Sequence, residues 1–314
     1  MFGYSVVRYW VVAIVLLFAI GPVRGLAQDR LALDDAPLNQ AEEALDRKQW
    51  TDAERMLRGY LADHPSSAKA LYLLAFTLFR ENRPSESLTA YTNAAKLREP
   101  GATDLRWVAL DYVLLGDYTD AYTWMSRAVE LDAKDGESWY GLGRIQYTLN
   151  RFTDAIASFK HALLLMPQSV KAENNLGLAY EGLNRPEAAA AAYRQAIAWQ
   201  REKPGPSEQP LLNLGTLLLD QTKPDEAAPL LKAAEELSPR DPKIHAALGK
   251  LYRMKNDLAA AQSEFEQAVA LDPDSVGLHF QLGQIYRKEG FGTKAAAEFE
   301  TVSRLGGNPS SEQR

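Results

Sequence analysis

A chain of 314 residues with 46% hydrophobic and 24% charged content has the composition of a folded globular protein rather than a disordered one. Its net charge of −6 argues against nucleic acid as a partner, because a nucleic-acid surface calls for a basic balance or a basic stripe. The absence of cysteine excludes a disulfide framework, a thiolate nucleophile and a zinc–thiolate site, and leaves the redox compartment open.

At the N-terminus, Arg8 precedes an apolar run from Tyr9 to Ile20, which Gly21-Pro22 breaks. Gly25 and Ala27 then stand at −3 and −1 of a cleavage position. The run is shorter than the ~18 residues a membrane-spanning helix needs. Residues 1–27 therefore read as a cleaved signal peptide, with Arg24 keeping open an uncleaved inner-membrane anchor. No cysteine follows the run, which excludes a lipoprotein anchor, and no later segment is long and apolar enough to span a bilayer. The expectation is an exported chain, periplasmic or secreted, with no membrane insertion after signal cleavage. Residues 28–36 read as a flexible lead.

From residue 37 the chain repeats itself. A small residue, a large apolar one four on and a third apolar or small residue three further recur as Ala53/Leu57/Tyr60, Ser87/Tyr91/Ala94, Ala121/Met125/Ala128 and Ala155/Phe159/Ala162. They continue as Ala189/Tyr193/Ala196, Ala227/Leu231/Ala234, Ala261/Phe265/Ala268 and Ala295/Phe299/Val302. The step is 34 residues each time except between Ala189 and Ala227, where it is 38. The i, i+4, i+7 spacing puts each triplet on one helix face. About twelve residues before most triplets stands a Leu-Gly pair, as in Leu142-Gly143, Leu176-Gly177, Leu214-Gly215, Leu248-Gly249 and Leu282-Gly283. Pro65, Pro167, Pro239 and Pro273 close the second helix of their units. A mid-helix glycine costs about 0.5–1 kcal/mol against alanine, so its recurrence at one phase implies a close backbone approach. The expected arrangement sets the small triplet residue against that glycine and uses the large one to fill the wedge between units.

Trp139…Leu142-Gly143…Ala155…Phe159…Ala162…Pro167 resembles the tetratricopeptide repeat. The resemblance covers eight units, 34–67, 68–101, 102–135, 136–169, 170–203, 208–241, 242–275 and 276–309, with Pro204-Gly205-Pro206-Ser207 inserted at 204–207. It implies an all-α fold, a right-handed superhelical solenoid of antiparallel helix pairs over 37–309. Residues 310–314 read as a disordered tail.

No site chemistry is visible. His245 and His279 lie one repeat apart, at the fourth position of the first helix, where Trp139 stands in its own unit. They read as packing residues. No His-x3-His or His-Glu-x2-His spacing, calcium loop, phosphate-cradling loop or nucleophile elbow occurs. The chain is expected not to be an enzyme and to need no cofactor or metal.

In the resembled family, positions 2, 5, 6, 9, 12 and 13 of each unit's first helix line a concave groove. Position 6 supplies Asn39, Asn175, Asn213 and Gln281, while Leu73, Gly141 and Ala247 interrupt the series. The resemblance makes Asn175 and Asn213 candidates for gripping a peptide main chain, since an amide both donates and accepts. Lys243, Lys250, Arg253 and Arg287, with Lys288, make the C-terminal face basic and suited to an acidic partner. The family's terminal-carboxylate clamp is incomplete, because Asn174, Leu178 and Ala247 occupy clamp positions. No solvating helix follows residue 309, so Leu282, Phe299 and Val302 are expected to leave an apolar edge open to self-association. The function expected is a scaffold or adaptor holding another protein or peptide in the cell envelope. An accessory subunit of a polysaccharide export or secretion machine is the alternative, and an enzyme or glycan-binding module a more distant one.

Overall fold

The computed structural model describes residues 36–201 and 204–306. The segment read from sequence as a signal peptide, the lead up to residue 35 and the C-terminal tail lie outside the described residues. Within them sixteen α-helices follow in tandem, with no strand. Unit 1 pairs α1 (Ala36–Asp46) with α2 (Trp50–Asp63), and unit 2 pairs α3 (Ala68–Arg80) with α4 (Pro84–Ala95). Unit 3 holds α5 (Ala102–Leu114) and α6 (Tyr118–Leu131), and unit 4 α7 (Gly136–Thr148) and α8 (Phe152–Leu165). Unit 5 holds α9 (Val170–Gly182) and α10 (Pro186–Gln200), and unit 6 α11 (Gln209–Asp220) and α12 (Pro224–Leu237). Unit 7 holds α13 (Pro242–Met254) and α14 (Leu258–Leu271), and unit 8 α15 (Val276–Lys288) and α16 (Gly292–Gly306). The all-α solenoid of helix pairs expected from the repeat is the fold observed.

Each unit turns on one residue in the left-handed region, always at position 15. These residues are Lys48 (φ 59°), Asn82 (60°), Gly116 (76°), Asn150 (58°), Asn184 (54°), Thr222 (59°), Asn256 (61°) and Gly290 (82°). The turn satisfies carbonyls that the ending helix would leave open. In unit 2, Asn82 N–H donates to the Phe79 carbonyl at 3.0 Å and Arg83 N–H to the Leu78 carbonyl at 2.9 Å. Asparagine and glycine tolerate this conformation best, which explains why six of the eight positions carry one of them. Between units, Ser67, Asp135 and Asp241 accept hydrogen bonds from the first backbone N–H groups of α3, α7 and α13.

The packing inside a unit differs from the expected scheme. The large triplet residue, not the small one, sits on the glycine. A Cβ added to Gly143 would lie 2.6 Å from the Phe159 ring, one on Gly249 2.8 Å from Phe265, and one on Gly283 2.8 Å from Phe299. Tyr193 covers Gly177 and Leu231 covers Gly215 in the same way. The partners are sixteen residues apart in every case. The glycine thus opens a socket on the first helix for a side chain of the second. The small residues Ala155, Ala189, Ala227 and Ala261 are fully buried, where they allow the helices to approach.

Successive first helices touch each other directly in several places, α1 with α3, α3 with α5, α7 with α9 and α11 with α13. This row therefore lies on the inner side of the curve. The stack continues across 204–207, because α10 still packs on α11. Buried Gln200 ties the insertion down: its Nε2 donates to the Ser207 carbonyl at 3.0 Å and its Oε1 accepts from Ser207 N–H at 3.2 Å.

Candidate functional site

The inner face of the first helices divides into three zones. In units 1–3 it is aromatic. Phe76 and Phe79 of α3 lie 5.0 and 5.1 Å from Trp107 of α5, and Trp50 of α2 meets Phe76 edge-on at 6.2 Å. All four rings are half-buried. Exposed Arg80 covers Trp50 at 4.3 Å, and Arg106 lies 4.9 Å over Trp107. This zone was missed from sequence, although Phe76, Phe79 and Trp107 occupy groove positions 9, 12 and 6 of their units. The position rule applied to asparagine would have found them.

In units 4–6 the face is polar. Asn175 Nδ2 donates to Tyr140 Oη at 2.9 Å, and Asn213 Nδ2 donates to Asn174 Oδ1 at 2.9 Å. Both amides thus bridge neighbouring units and keep their carbonyl oxygen and second N–H for other partners. Their shared position 6 makes Asn175 and Asn213 equivalent candidates for gripping a peptide main chain. The structure gives each its own support, and Asn174, a failed clamp residue in sequence, becomes the buried support of Asn213. Lys171 of the same face pairs with Glu137 of the preceding unit at 2.9 Å. Burial raises the Tyr140 hydroxyl above its ordinary pKa, so it stays protonated and can donate in turn.

Asn175 also stands at the rim of a cavity of about 220 Å³ between α7 and α9, lined by Arg144, Tyr147, Thr148, Phe159 and Leu178. Phe159, which also fills the Gly143 socket, is the fully buried member of the lining. The half-buried Leu178 and Tyr147 beside the Asn175 amide and the Arg144 guanidinium suit one side chain of an extended peptide.

In units 7–8 the face is cationic, less freely than expected. Lys250 is paired with Asp220 of the preceding unit, and Arg253 donates to Gln281 Oε1 at 2.7 Å. These contacts turn Lys250, Arg253 and Gln281 partly into structural links. Lys243, Arg287 and Lys288 are exposed and make no salt bridge among the described residues. Arg287 leans over Phe299 at 5.8 Å.

His245 and His279 pack as expected, and the reason is now specific. Their Nε2 donates to the carbonyl six residues back, Pro239 at 3.0 Å and Pro273 at 2.9 Å. Trp139 Nε1 makes the same bond to Ala133 at 2.9 Å. Their Nδ1 faces Glu264 at 2.8 Å and Glu298 at 2.6 Å. Burial pulls both imidazoles down, but the hydrogen bonds to the glutamate and the carbonyl win and hold each above the ordinary histidine value. No helix among the described residues is long and apolar enough to cross a membrane.

The comparisons with known proteins agree with this architecture. The protein O-mannosyl-transferase TMTC3 of Mus musculus is 24% identical over 189 residues, which is 54% of this chain and 20% of that protein. The human TMTC3 is 23% identical over the same share of this chain. The chain thus spans about a fifth of the length of these curated relatives. A tetratricopeptide repeat protein from Parabacteroides merdae superposes with a TM-score of 0.64 at 16% identity, covering 80% of this chain and 98% of that one. PilW, a type IV pilus biogenesis factor, superposes at 0.59 with 23% identity over 65% and 92%. A model for subunit 3 of the anaphase-promoting complex matches residues 88–162. The tetratricopeptide repeat model matches residues 38–104, 140–205, 212–276 and 246–309, most of the chain, and so the chain belongs to the tetratricopeptide repeat family.

Proposed function

We propose that the protein is an interaction scaffold that holds an extended polypeptide along the inner row of first helices. The observation that carries this reading is the cavity between α7 and α9, lined by Asn175, Arg144, Tyr147 and Leu178. It offers a pocket for a side chain beside an amide for the main chain, the combination by which extended peptides are bound. The aromatic zone of units 1–3 adds apolar area and stacking for further side chains. The exposed Lys243, Arg287 and Lys288 favour acidic residues at the other end of the ligand. The pattern of residues 1–27 supports the cell envelope as its place of work.

The test is selection of peptides from a random displayed library on the wild-type protein, followed by binding to variants. Leu178→Trp, which fills the cavity, is expected to weaken the selected peptides about tenfold or more while the melting temperature holds. Trp107→Ala should weaken those that carry apolar side chains toward one end. Peptides that bind both variants as well as wild type would move the ligand off this face.

A further inference from the structure

Outside the groove, three ligand-bearing side chains converge where units 6 and 7 meet. Glu235 comes from the last turn of α12, His245 from the first turn of α13 and Glu264 from the middle of α14. One oxygen of each carboxylate and a nitrogen of the imidazole all lie within 4.8 Å of one another. We propose that Glu235, His245 and Glu264 form a site for a divalent transition-metal ion of the zinc class.

Four features argue for it. The imidazole is pre-aimed: its Nε2 donates to the Pro239 carbonyl at 3.0 Å, which turns its Nδ1 to Glu264 at 2.8 Å, with a Glu235 oxygen inside the same cluster. A metal-binding histidine is usually oriented by such a bond from its other nitrogen. His245 is only 2% exposed, whereas both glutamates are partly exposed, so the fixed ligand lies at the base and the adjustable ones at the mouth. Tetrahedral zinc, with bonds near 2.0–2.2 Å, needs ligand atoms about 3.3 Å apart. The three ligand atoms already lie within 4.8 Å of one another, which leaves the partly exposed glutamates little distance to cover. Glu235, finally, is an acid at a helix C-terminus, where the dipole disfavours it, and it makes no hydrogen bond or salt bridge among the described residues. On binding, the ion replaces the proton between Nδ1 and Glu264, and two carboxylates, a neutral imidazole and a divalent ion then sum to zero charge.

The next unit supplies an internal control. His279, Glu298 and the Pro273 carbonyl repeat the His245, Glu264 and Pro239 arrangement one unit on. At the place of Glu235, however, stands Val269, 34 residues later. The His–Glu pair is therefore a packing device that unit 8 uses without a third ligand, and Glu235 is what distinguishes the joint between units 6 and 7. Imidazole among the ligands selects zinc-class ions over calcium and magnesium, which prefer all-oxygen shells. Three protein ligands leave a fourth position for water or for a partner's side chain. An ion here would tie α12 of one unit to α13 and α14 of the next and stiffen that joint.

The experiment is calorimetric titration of the tag-free full chain with zinc chloride, with calcium and magnesium chloride as controls, alongside melting with and without zinc. One zinc per chain, a zinc-dependent rise in melting temperature and little response to calcium or magnesium are expected. Glu235→Val, which copies the residue at the corresponding place one unit on, should fold normally and lose about tenfold or more in zinc affinity. Val269→Glu should add a second zinc. Absence of zinc uptake, or uptake that Glu235→Val leaves unchanged, overturns the proposal.

Discussion

The sign of a glycine substitution in this protein depends on what faces the missing Cβ. Gly249 is mid-helix and faces the Phe265 ring, with 2.8 Å left for a Cβ. Gly59 is also mid-helix, exposed, with nothing within 4 Å. Gly59→Ala should stabilise by about 1 kcal/mol through helix propensity. Gly249→Ala should instead destabilise by about 1–3 kcal/mol, because the ring must leave its socket. Urea melts of the two variants check the opposition. Asp111 is a second residue whose behaviour follows from its surroundings. It is fully buried between units 2 and 3, and burial pushes its pKa up to about 7 against a weaker pull down from Ser87. Ser87 Oγ lies 2.8 Å from the Ala75 carbonyl and 2.6 Å from Asp111 Oδ2, with one hydrogen for two acceptors. A neutral Asp111 that donates its own hydrogen satisfies both contacts. Because its folded pKa is raised, the stability it contributes is complete below the unfolded value near 4 and is lost as pH rises through about 7. Asp111→Asn keeps the donor without the charge. It should be more stable than wild type by about 1–3 kcal/mol at pH 8, with the difference gone at pH 4. Denaturant midpoints measured across that range decide it.

At the scale of the element, the turn between paired helices sets the register. A left-handed residue at position 15 ends each first helix and aims the second back along it. Thr222 is the β-branched residue among the eight, and a β-branched side chain crowds the backbone in this conformation. Thr222→Asn should therefore raise stability by about 1 kcal/mol, whereas the same exchange at a helical threonine such as Thr301 should not. Thermal melts of the two variants make the comparison. This periodic turn was legible in sequence as Asn82, Gly116, Asn150, Asn184, Asn256 and Gly290, spaced by the repeat. It was obscured by the stronger Leu-Gly and Ala-x3-large signals next to it.

For the whole molecule, the end of the array matters most. Leu282 is buried, not part of an open edge as expected, because it packs in one cluster with Ala261 and Phe265 of unit 7 and Ala295 of α16. The exposed apolar residues of the last unit are instead Val276 (36% exposed), Phe280 (43%) and Phe291 (47%), beside α16, which buries only Ala295. Such an apolar end favours contact with another surface. Sedimentation of the wild-type chain is expected to depend on concentration, and the double change Phe280→Ser/Phe291→Ser should suppress that dependence. A wild-type chain that stays monomeric at high concentration would show the edge to be inert.

The repeat period, the number of helix pairs and the family were determined by the sequence, because close packing of identical pairs imposes the same small and large residues every 34 positions. Each such contact joins residues sixteen apart in one unit, so the pattern is local and readable. What a residue at the groove or at a joint does was decided by the tertiary structure alone. Asn213 rests on Asn174, Lys250 on Asp220, and Glu235 approaches His245 and Glu264 because neighbouring units stack on one another. Those contacts cross from unit to unit, where many pairings are compatible with the same spacing and only the geometry of the stack selects among them.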